Sequence, residues 1–203
     1  MAVRIRSRFH KKGRERTPAE LASAVAVLAW KLAIESIGNM RRAKYDIDIG
    51  RPYFEFVSEY LVFLATATDR LAHRELDDDG RLAFTTALVT RLADVVEDNN
   101  GMLLGVAQPG ECRRDFLDRF NRRGADYAEF DYGADGPDFG FRRYFASCLR
   151  DVLPEKDQLW VIDQAMDIEA PEAIKALERT VAGLFNAAVA VAERHAELDR
   201  KKE

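Results

Sequence analysis

Residues 52–76 read PYFEFVSEYLVFLATATDRLAHREL. Pro52 suits a first helical position, and neither Gly nor a second Pro interrupts the stretch. At 100° per residue, Phe54, Phe56, Val57, Leu61, Phe63, Leu64 and Leu71 cover most of the circumference. A helix apolar nearly all round is enclosed by neighbours. At 1.5 Å per residue it is about 37 Å long, enough to run through the middle of a domain. The stretch therefore predicts a central helix, and the rest of the chain has to supply its cover.

The flanking segments read as that cover. Thr17-Pro18-Ala19-Glu20 carries a cap, a first-turn proline and an acid three residues on, the pattern of a capping box. The helix it opens is expected to reach about Arg42, with Leu21, Val25, Leu28 and Leu32 on one side and Val27, Trp30, Ile34 and Ile37 on nearly the opposite one. Asp77-Asp78-Asp79-Gly80 ends the central helix and caps a third, predicted over 81–98. Phe84, Leu88, Leu92, Val95 and Val96 face inward there, and Asn99-Asn100-Gly101 is its stop. A short helix is expected over 111–122. Three more follow, over about 141–152, 155–168 and 171–198, with Pro154 and Pro171 at the breaks. Between them lies an irregular Gly-, Asp- and aromatic-rich loop, Gly124–Phe141. The prediction is an all-α bundle of about seven helices, two or three of them long. Residues 17–203 form a single domain behind an N-terminal arm, residues 1–16.

The chain has 203 residues, 47% of them hydrophobic and 33% charged, and can bury a core without staples. Its cysteines, Cys112 and Cys148, make no CxxC pair, which fits a reducing compartment, and a cytoplasmic location is expected. No secretory signal is visible, and no run of eighteen uncharged apolar residues predicts a membrane span.

The arm has the opposite charge to the body. Arg4, Arg6, Arg8, Lys11, Lys12, Arg14 and Arg16 face the single acid Glu15, so the arm carries +6. The whole chain carries −4, which leaves −10 on residues 17–203. Val3, Ile5 and Phe9 alternate with Arg4, Arg6 and Arg8, so an extended arm presents one basic edge. Such an edge fits an acidic protein face or another anionic partner. Nucleic acid is disfavoured, because the body shows no helix-turn-helix and no aromatic-basic sheet.

Two places in the body hold candidate site residues. On the central helix Glu55, Glu59, Thr66, Asp69, Arg70 and His73 fall within about 100° of one another. Glu55, Glu59, Asp69 and His73 offer a carboxylate/histidine metal set or an enzymatic stripe, although the Glu-x-x-His pairs of di-iron bundles are missing. In the loop, Tyr127, Phe130, Asp131, Tyr132, Asp135, Asp138 and Phe139 form a candidate partner or ligand surface. His195 reads as a packed residue on the last helix. Gly183, Ala187 and Ala190 on the back of that helix, with the doubly apolar first helix, suggest a homodimer.

No P-loop, dinucleotide fingerprint or nucleophile elbow occurs, and no cofactor is expected. The sequence therefore predicts a non-enzymatic, soluble helical protein of interaction, assembly or regulation, holding its partner through the basic arm and the acidic-aromatic loop. The alternative is a metal-binding or enzymatic bundle built on the Glu55–His73 stripe.

Overall fold

The computed structural model describes residues 17–105 and 108–200, with side chains as far as Asn186. The basic arm lies outside the described residues. His195, Ala187 and Ala190 lie outside the described side chains. The described residues form seven α-helices: α1 (Pro18–Arg42), α2 (Arg51–Glu75), α3 (Asp78–Leu104), α4 (Glu111–Tyr127), α5 (Phe139–Val152), α6 (Glu155–Gln164) and α7 (Ala170–Arg200). A π-turn, Ala165–Glu169, joins α6 to α7, and β1 (Tyr132–Gly133) pairs antiparallel with β2 (Gly136–Pro137). The protein is an all-α bundle.

α2 is its axis. Every residue from Phe56 to Thr68 is buried, and α1, α3, α4, α5 and α7 all pack against it. The broad apolar circumference is the reason, since in any rotation of this helix large apolar side chains would meet water unless neighbours cover several of its sides. An aromatic stack links it to α5: the Phe63 and Phe145 rings lie parallel at 4.0 Å, and Phe141 meets Phe63 edge-on at 5.8 Å. Tyr60 closes on Phe145 at 5.2 Å.

α1 opens with the expected capping box, in which Thr17 and Glu20 each accept from the other's backbone N–H. Its deepest seam differs from the expected Leu and Val stripes. Ala22, Ala26, Ala29 and Ala33 are fully buried, with Val25 and Trp30 beside them, while Leu28, Leu32 and Ile34 are half-buried. Small side chains let the α1 backbone approach α3 closely, so alanines gain the contact that leucines would prevent. α1 is also long and apolar enough by length and composition to cross a membrane, and just over half of its most apolar window is buried against the bundle.

Other boundaries moved for identifiable reasons. α3 begins three residues earlier than expected, at Asp78, because Asp77 caps it by accepting from the Gly80 N–H. It runs through Asn99-Asn100-Gly101 to Leu104. Asn99 is buried and donates to the Val95 carbonyl, which turns a stop signal into a helix-interior bond. The true stop is Gly105, at φ 83°. α4 continues past Gly124 to Tyr127, whose ring is buried against Phe141 at 4.5 Å. Pro171 does not break the chain. It has no N–H for the carbonyl of residue 167, and the π-turn absorbs the fault, with Ala170 N–H bonding Ala165 O across five residues.

Candidate functional site

The polar stripe of α2 is a seam against α3 and α4. Glu59 sits at its middle, with a side chain only 1% exposed. Arg119 and Arg123 of α4 both donate to it, Arg119 at 2.5 Å and Arg123 at 2.9 Å. Arg123 also donates to the Tyr144 hydroxyl at 3.1 Å, and Tyr144 donates to Asp126. The result is a connected chain, Glu59–Arg123–Tyr144–Asp126, running from the core to the surface. Burial alone would lower the Arg123 guanidinium, but the Glu59 hydrogen bond and charge outweigh it and hold the group above its ordinary value.

Asp69 lies further along α2. It accepts from Arg81 and, at 2.7 Å, from the Thr85 hydroxyl of α3. Burial alone would raise this carboxyl, but those hydrogen bonds, with the Arg81 and Arg70 charges, keep it below its ordinary range. His73 lies on the same arginine, with Nδ1 3.4 Å from Arg81. Glu55 pairs with Arg51 one turn before it. The four residues weighed as a metal set are thus divided among separate arginines: Glu55 on Arg51, Glu59 on Arg119 and Arg123, and Asp69 with His73 on Arg81. Ten residues of helix, about 15 Å, separate Glu59 from Asp69. Among the described residues no three His, Cys, Asp or Glu side chains are grouped to hold a cation.

The loop residues are mostly structural. Tyr127 is buried, and Phe130 packs on Tyr144 at 5.7 Å. Gly140 lies so close to Phe130 that an added Cβ would meet the ring at 2.6 Å. Tyr132 donates to Glu178 of α7 at 3.1 Å, and its carbonyl accepts from Arg74. Asp138 caps α5 through the Phe141 N–H and also accepts from the Asp131 N–H. Asp131, Asp135 and Phe139 face solvent.

A groove of about 830 Å³ opens beside the Glu59 cluster, between the start of α2, the end of α3 and α4. Buried Phe54, Val96 and Phe116 form its floor, and Arg51, Arg119 and Arg122 also line it. Glu111, Asp115 and Asp118 stand on its rim, exposed, with no hydrogen bond or ion pair from their side chains among the described residues. Cys112 lines the same groove. Burial, then the charges of Glu97, Asp115 and Glu111, push its thiol up. Cys148, inside α5, is pushed up to about 12 by burial and by Glu59. Both thiols are therefore protonated at neutral pH and poor nucleophiles.

A second buried acid, Glu169, ends the π-turn. Its Oε1 accepts from Gln164 at 3.1 Å, and its carbonyl accepts from the Tyr60 hydroxyl at 3.3 Å. Burial raises its carboxyl above the ordinary value.

The sequence reading missed the groove and the two arginines. One signal for them exists: Phe116, Arg119, Phe120, Arg123 and Tyr127 recur at spacings of three and four, so the arginines lie on the inward face of α4. An inward arginine requires a buried carboxylate, and Glu59 was the acid most enclosed by apolar sequence. The groove itself is formed by three elements distant in sequence and leaves no local trace. Comparison of the chain with family models, with curated proteins and with solved structures found no match.

Proposed function

We propose that this chain is a non-enzymatic helical interaction module that holds a partner's basic, apolar-containing segment in the groove between α2, α3 and α4. The basic arm and the solvent-facing loop residues Asp131, Asp135 and Phe139 are further contacts in this reading. One observation carries it. The buried acids Glu59 and Glu169 and the half-buried Asp69 each accept hydrogen bonds inside the bundle, whereas Glu111, Asp115 and Asp118 accept none from the described residues and outnumber Arg122, the groove arginine not already paired with Glu55 or Glu59, over an apolar floor. Exposed carboxylates beside apolar surface match a cationic, partly apolar ligand, with the charges setting specificity and encounter rate.

The thiols support the non-enzymatic side, being held in the unreactive form. The reading further places the protein in a reducing compartment such as the cytoplasm, as a homodimer. The outer side of α7 suits self-association, since a Cβ on Gly183 would meet no atom of the described residues within 4 Å. Sedimentation velocity tests the dimer.

The groove is tested with a short fluorescent peptide of alternating arginine and valine. Its anisotropy is expected to rise with added protein and to fall back as salt increases. Asp115→Lys with Asp118→Lys is expected to weaken binding by about tenfold or more, because like charges then meet across the rim. Binding unchanged by that double substitution would remove the groove as the site.

A further inference from the structure

A segment of chemistry suited to the groove occurs in the same chain. We propose that residues 3–9 of the basic arm dock, in cis, into the groove between α2, α3 and α4 and occlude it until a partner segment displaces them. This rests on the reading of the groove as a receptor for basic segments.

Three observations support it. The first is complementarity. In an extended arm Val3, Ile5 and Phe9 fall on one side and Arg4, Arg6 and Arg8 on the other. The groove offers apolar Phe54, Val96 and Phe116 with Glu111, Asp115 and Asp118; of the arginines that also line it, Arg51 and Arg119 are paired with Glu55 and Glu59, which leaves three acids against Arg122. The second is where the arm leaves the bundle. Thr17 lines a cavity of about 490 Å³ with Ala87, Thr90 and Asp94 of α3. Asp94 accepts from Arg113 Nε at 2.8 Å, and Glu97, one turn on, accepts from the Gly110 and Arg113 N–H groups. The first turn of α4, with Glu111 and Cys112, is therefore fastened beside the arm's exit. Along α3, Asp94 at that cavity and Asn100 in the groove are six residues apart, about 9 Å. The third is length. Residues 10–16, the tether between the docked segment and Thr17, span at most about 25 Å when extended, more than twice the distance needed. The tether sets an effective concentration on the order of 1 mM, so even a weak intrinsic contact is mostly closed.

Cys112 is a built-in reporter, because it lines the groove. In the full chain its alkylation by a maleimide is compared with that in Arg4→Glu/Arg6→Glu/Arg8→Glu, whose changes lie far from the thiol in sequence. The expected result is about tenfold faster modification in the variant, and the same acceleration of the native chain in high salt. Cys148, buried, is expected to stay unmodified in both and reports that the fold is intact. Equal Cys112 rates would overturn the proposal. In a second measurement Phe9 is replaced by photoreactive benzoylphenylalanine, and isotopically light and heavy chains are mixed. Cross-links to residues 96–104 or 111–122 within one chain support docking in cis. Cross-links joining light to heavy chains overturn it in favour of a second copy's arm, and cross-links elsewhere overturn the groove as the arm's seat. If the arginine–valine peptide binds while Cys112 rates agree, only the assignment of the arm falls. If the peptide also fails to bind, the receptor reading falls with it.

Discussion

Glu59 shows how one residue's environment fixes the cost of changing it. Its carboxylate is 1% exposed, while the Arg119 and Arg123 side chains are 20% and 27% exposed. The two sides of the cluster are therefore unequal. Glu59→Leu leaves two guanidinium groups that can turn toward water, and the leucine packs among apolar neighbours. Arg119→Met with Arg123→Met leaves a carboxylate in the core with no cation, the situation that costs roughly 3–5 kcal/mol. We expect the double arginine variant to lose more stability in urea denaturation than Glu59→Leu, by a margin of about 2 kcal/mol. Equal losses would mean that water reaches Glu59 when its partners are removed. Asp69 is the milder case. Its carboxyl lies below the ordinary value, so its contribution is present above that value and is lost as pH falls through the folded-state titration.

Among the elements, the α6–α7 junction converts a local fault into a buried titrating group. Pro171 removes a donor, the π-turn re-registers the helix, and Glu169 is carried inward with Gln164 as a neutral partner. Burial raises the Glu169 carboxyl in the folded state above its ordinary 4.5. The protonated form is therefore preferred on folding. Stability from this group is complete below 4.5 and is lost as pH rises through the folded-state titration. Glu169→Gln keeps an acceptor for Gln164 and cannot ionise. It is expected to melt a few degrees above the native chain at pH 8, with the difference closing near pH 4, as differential scanning calorimetry would show. A melting difference independent of pH would place the effect in packing instead. The same junction shows why element ends were harder to foresee than elements. Pro171 and Asn99-Asn100-Gly101 are sound local stop signals, yet a π-turn and a buried Asn99 carried the chain through them. Where local chemistry acted alone, at the Thr17 capping box and the Asp77 cap, the helix starts fell where the residues put them or within three positions.

Across the whole molecule, stability should be greatest along α2, since α1, α3, α4, α5 and α7 all bury it. Backbone amides of residues 56–68 are expected to exchange last with deuterium, near the rate of global unfolding, while the β1–β2 hairpin and α6 exchange earlier through local opening. Early exchange in the centre of α2 would show that the bundle opens around a different axis. The circumference of residues 52–76 was enough to set the fold class and the central helix, because hydrophobic periodicity is carried by consecutive residues and needs no knowledge of neighbours. The same stretch showed that Glu59 and Asp69 share a face. It could not show what meets them. Arg119 and Arg123 lie 60 and 64 residues beyond Glu59, and only packing brings α4 to Glu59 and Arg81 of α3 to Asp69, so that those acids are neutralised by arginines rather than left for a metal. The groove, with its exposed rim acids over an apolar floor, likewise exists only once α2, α3 and α4 are juxtaposed. Periodicity is a property of the chain, whereas the partner of a charge is a property of the space around it.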